Sequence, residues 1–159
     1  MKVTVDLVRE WGGACAGVDW FAKQYPDGVE ITAENVRKCP SSHYNKLWLM
    51  KQVATYATDE SAQVAVDMLV ELTERRDVRW LANAVCDCPS LDTRGALARV
   101  LADGDTVSLM QVAERAPVKD AELAARELVK NLNPLIEEHI EREWPQDRKA
   151  LVDDARRAR

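Results

Sequence analysis

The sequence predicts an all-α fold: an irregular array of short antiparallel helices, HEAT-like or an orthogonal bundle, with a small N-terminal helical cap. Three observations predict it. Helix-favouring Ala, Leu, Val, Glu and Arg dominate the composition. Gly and Pro number only six each, too few for a loop-rich β sandwich. From residue 41 onward, apolar residues recur at three- and four-residue spacing between capping and breaking residues. At 159 residues the chain fits one domain, 1–159, and is long enough to bury a core. We divide it into a cap, 1–40, and an array, 41–159.

The cap opens with two similar pieces, "VTVDLVREW" (3–11) and "ITAENVRKC" (31–39). In each, a threonine hydroxyl, Thr4 or Thr32, is placed to accept a free N–H of a first helical turn. Asp6 and Glu34 then favour the positive end of the helix dipole. The shared helix-start device explains the similarity without a duplication. Gly12 and Gly13 end the first helix. Residues 14–24 form the next, with Val18, Phe21 and Ala22 on one face. "YPDG" (25–28) is a turn: Pro26 presets φ, Asp27 bonds its own backbone and Gly28 supplies positive φ. Residues 29–31 are extended.

In the array, Ser41 or Ser42 caps a helix reaching about Ala57, with Leu47, Met50, Val53 and Ala54 on one face. Thr58 or Asp59 caps the next, to about Arg75, whose face is Ala62, Val66, Leu69, Val70 and Leu72. A short helix runs from Asp77 through Val85. Ser90 caps one holding Ala96, Leu97, Val100 and Leu101, stopped by "DGD" (103–105). Further helices cover 106–115, ended by Pro117; 118–131, bounded by Asn133-Pro134; and 134–144, broken at Pro145. The closing "QDRKALVDDARRAR" is expected to be helical and frayed.

Charge and hydropathy exclude several functions. Net charge is −5, from 27 acids and 22 bases interspersed along the chain. No segment is basic enough to neutralise a phosphate backbone, so neither nucleic acid nor an anionic membrane is expected as a partner. No apolar run approaches the ~18 residues of a membrane span. Charges interrupt the apolar pattern of the first residues, so no signal peptide is expected, and the chain is read as cytoplasmic with reduced cysteines.

Residues 13–36, "GACAGVDWFAKQYPDGVEITAENV", resemble a segment that recurs in small, mostly uncharacterised proteins of tailed bacteriophages and prophages. The matching residues are Ala14, Cys15, Phe21, Pro26, Asp27, Gly28 and Thr32, and the resemblance covers about residues 4–40. It implies a phage-like origin and carries no activity with it.

Two pieces, "KCPSSHY" (38–44) and "VCDCPSL" (85–91), hold three of the four cysteines and one of the two histidines. Cys39, His43, Cys86 and Cys88 would make a Cys₃His set of the kind that holds structural zinc. Their spacing is poor, because cysteine knuckles usually place two residues between the thiolates. The plainer reading is two Cys-Pro-Ser corners, where proline stops one helix and serine caps the next. Cys15, near a helix start, is a nucleophile only if a base pairs with it, and His43 and His139 are the candidates. His139 and Glu143 share a helix face, as do Glu138 and Arg142; the first pair is too few ligands for a metal, and the run reads as a solvated face.

No phosphate loop, dinucleotide fingerprint, nucleophile elbow or zincin helix is present. The expectation is a non-enzymatic, cofactor-free protein-binding module. Asp19, Trp20, Tyr25 and Asp27, around the "PDG" turn, are its candidate partner site. Five tryptophans against one phenylalanine support an aromatic anchor. Trp20 is the candidate because one of the adjacent Trp20 and Phe21 must point away from the helix's buried face. With the phage resemblance, the finer expectation is an accessory protein that binds and modulates or inhibits a host (defence) protein. The alternative is a structural zinc protein using Cys39, His43, Cys86 and Cys88. An apolar stripe left bare at the end of the array would favour a homo-oligomer.

Overall fold

The computed structural model describes residues 1–143, and beyond position 135 the only side chain it describes is that of Glu138. The side chains that would complete the expected pairs His139–Glu143 and Glu138–Arg142 are not among those described, and Trp144 and the closing segment lie outside the described residues.

The chain is all-α, with one two-stranded sheet among the described residues. Strand β1 (Lys2–Val3) pairs antiparallel with β2 (Val29–Glu30), Val3 opposite Val29. This sheet closes the cap, which holds α1 (Val5–Glu10), α2 (Cys15–Gln24) and α3 (Ala33–Lys38). The threonine device works at both places. Thr4 Oγ1 accepts from Leu7 N at 3.4 Å, and Thr32 Oγ1 from Asn35 N at 3.1 Å. In the turn before β2, Gly28 takes φ 79°, and a Cβ there would stand 2.6 Å from the Val3 carbonyl oxygen. Only glycine lets the turn press this closely on β1.

Among the described residues the array is three helical hairpins: α4 (His43–Tyr56) with α5 (Ser61–Leu72), α6 (Arg79–Asp87) with α7 (Arg94–Asp103), and α8 (Thr106–Arg115) with α9 (Val118–Glu143). Helices α4, α6 and α8 pack side by side in one layer, and α5, α7 and α9 in the other. This is the stacking of a helical repeat protein, where each hairpin buries its neighbour's apolar face. One continuous core runs from Val3 in the cap to Ala124 in α9, with Leu47, Met50, Leu69, Leu81, Val85, Val100 and Leu109 almost wholly buried. Removing that much apolar surface from water supplies the main stabilisation, about 25 cal/mol per Å².

Polar side chains clamp successive hairpins. Arg99 of α7 donates to the Val70 and Thr73 carbonyls at 3.3 and 3.1 Å, satisfying orphan groups at the end of α5. The Gln63 side chain exchanges two hydrogen bonds with the Asp92 backbone. In the other layer, Asp87 of α6 stands between Lys51 of α4 at 3.7 Å and Arg115 of α8 at 2.7 Å. The cap is tied on by a two-pronged Arg37–Glu71 pair, at 2.7 and 2.6 Å, and by Trp11 stacked on Tyr56.

Several boundaries differ from the expectation. Helix α5 stops at Leu72 and a 3-10 turn, Arg75–Asp77, follows, because the buried Thr73 turns the chain toward α6. Ser90 caps nothing: α7 begins four residues later, where Asp92 Oδ1 accepts from Arg94 N at 3.2 Å. Pro134 does not end a helix either. Helix α9 runs through it, giving up the one rung that proline cannot donate.

A candidate binding cleft between the cap and the first hairpin

Helix α4 carries more apolar surface than one stripe needs. Leu47, Met50, Val53 and Ala54 enter the core, while Tyr44, Trp48 and Leu49 lie outside that stripe and line the side facing the cap. The cap leans over that side without closing on it. Between them lies a half-open cavity of about 540 Å³, within the ~300–1,000 Å³ range of ligand sites.

Each wall has a local cause. Phe21 of α2 is buried and lines the cleft, and its neighbour Trp20, about 100° further round the helix, stands half-buried along it. Tyr25 closes α2 and meets Trp20 edge-on, ring centroids 6.2 Å apart. Gly13 forms part of the floor, and a Cβ there would come within 2.8 Å of the Val8 carbonyl oxygen, so the loop lies directly on α1. Val29, Ile31 and Val36 line the back, and Trp48 and Leu49 the opposite wall.

The polar groups in this lining are few. Burial, and then the neighbouring Cys39 thiol, push the Tyr25 hydroxyl up to about 12, so it stays protonated at neutral pH. Glu30 faces the N-terminal ammonium at 3.9 Å, and the Lys46 ammonium donates to the Arg37 carbonyl at 3.4 Å. Asn35 is engaged with the Glu30 carbonyl at 2.9 Å. Such a site holds an apolar group by contact and orients it with a few donors.

Of the four candidate residues around the "PDG" turn, the structure brings Trp20 and Tyr25 together in the cleft. Trp20 packs partly on the core rather than standing free in water. Asp19 is exposed and borders a shallow depression on the outside of α2, with Ala22 and Lys23. Asp27 is exposed at the turn and does not line the cleft. Sequence reasoning missed Tyr44, Trp48 and Leu49. Their signal was present in "YNKLWLM" (44–50), where apolar residues overfill a single helical stripe.

The four residues of the zinc alternative are not gathered. No three His, Cys, Asp or Glu side chains are grouped to hold a metal among the described residues. Cys39 and Cys88 are the C-caps of α3 and α6, the two proline corners. Cys88 Sγ donates to the Ala54 carbonyl at 3.4 Å, and Cys86 Sγ to the Gln111 carbonyl at 3.6 Å. Burial pushes both of these thiols up, which disfavours the thiolate a metal needs. His43 turns its Nε2 toward Asp77, 3.6 Å away. Cys15 is exposed at the first turn of α2, lining neither the cleft nor a polar cluster.

No protein-family model, no curated protein and no solved structure matches this chain.

Proposed function

We propose that this chain is a non-enzymatic protein-binding module whose partner inserts an apolar segment into the cleft between the cap and α4. The observation that carries the reading is an apolar, half-open cavity walled by Trp20, Tyr25 and Trp48. Aromatic side chains at the edge of a pocket are the usual anchors of protein interfaces. The acidic balance of the surface adds steering toward a basic partner. The resemblance of residues 4–40 to phage-encoded proteins supports the finer proposal, an accessory protein that modulates a host protein such as a defence factor.

Gly17 gives the test, because it lines the cleft and has nothing within 4 Å of where its Cβ would stand. Gly17→Leu fills the cavity from a helix position, where replacing glycine favours folding by ~0.5–1 kcal/mol. The variant is expected to keep the wild-type circular dichroism and to lose the host proteins that immobilised wild type retains. Retention of the same proteins by a folded Gly17→Leu chain would reject the cleft as the partner site.

A further inference from the structure

In a stacked array, each hairpin leaves one apolar face for its neighbour, and the two ends need covers. The cap covers the first hairpin: α3 packs on α5 and Trp11 on Tyr56. Nothing among the described residues covers the last. Of the eight large hydrophobic side chains exposed among those residues, six lie on α8 and α9. Val118 and Val129 of α9 are 77% and 58% exposed. With the exposed Ala125 between them, they are spaced seven and then four residues apart, which puts them on one face of the helix.

Charge decides what fits this stripe. Glu122 and Arg126 are both exposed along one flank of it, and neither takes part in an ion pair among the described residues. A helix laid antiparallel on this face by a two-fold axis level with residues 123–125 brings like flanks together. Residue 122 of one copy then meets residue 126 of the other, and the reverse, because a two-fold contact repeats every pairing. Each Glu122 finds an Arg126. The same register brings Val118 within one residue, about 1.5 Å along the axis, of level with the second copy's Val129, and the small Ala121 and Ala125 let the two backbones approach. The stripe is complementary to itself in charge and in shape.

We infer that the exposed face of α9 is a two-fold interface that takes a second copy of this chain. It is separate from the cleft, and the two readings stand or fall independently. Light scattering and sedimentation on the full chain test it. Wild type is expected to pass, between about 1 and 500 µM, from the 17.9 kDa protomer to twice that mass. Glu122→Arg, which places four arginines at the crossing, is expected to weaken association at least tenfold, and so is Arg126→Glu. The double exchange, Glu122→Arg with Arg126→Glu, is expected to restore it. A wild type that stays monomeric throughout overturns the inference, whether residues 144–159 or another protein covers the stripe. A dimer indifferent to both single reversals overturns it as well.

Discussion

At the scale of single residues, Asp92 shows how a local contact fixes a helix start. Its carboxylate accepts from the Arg94 guanidinium at 2.8 Å and from the Arg94 backbone N–H at 3.2 Å. These contacts lower its pKa to about 2, the Arg94 side chain first. The folded-state value lies below the unfolded value of ~3.9. The stability this pair contributes is therefore fully present above about pH 4 and is lost as pH falls toward about 2. The site is solvent-exposed, so the effect is a titration rather than a large energy. Carboxyl NMR should find the Asp92 midpoint near 2 and see Arg94→Gln return it toward the ordinary 3.8. An ordinary midpoint in wild type would contradict the contact. Sequence reading missed this start because it credited the hydroxyl of Ser90, four residues before Arg94. The deciding acceptor was the side chain whose backbone is also clamped by Gln63.

At the scale of elements, the short helices depend on their caps more than on their length. A six-residue helix such as α3 cannot stand alone in water. Thr32→Ala removes the acceptor for Asn35 N and should cost about 1 kcal/mol of global stability in urea, while Thr32→Ser should recover most of it. An unchanged midpoint in Thr32→Ala would mean that packing on α5 alone defines α3. These elements were legible from the sequence because threonine caps, the "PDG" turn and the stripes of α4 and α7 act within one helical turn. The continuity of α9 was not legible. Proline forbids one hydrogen bond, and the packing of α9 against α7 and α8 outweighs that loss. The strand Lys2–Val3 was hidden too, since its partner lies beyond α1 and α2 in sequence.

At the scale of the whole molecule, the layered array followed from repeated short amphipathic helices. The order of the layers is set by side chains that bridge hairpins, such as Asp87 between Lys51 and Arg115. The cleft was half legible. Trp20 and Tyr25 stood out as aromatic residues near a turn. The opposite wall belongs to α4, and no local signal says which helix the cap will lean on. Among the described residues, no helix is long and apolar enough to cross a membrane. We propose this cleft as the place where a partner docks. The most direct measurement is site-specific photo-crosslinking in host extract, with p-benzoylphenylalanine in place of Lys46 on the cleft wall or of exposed Ala98 on α7. The account predicts one discrete adduct from position 46, absent from position 98 and lost when Gly17→Leu fills the cavity. An adduct from position 98 alone, or one from position 46 that survives Gly17→Leu, would contradict it.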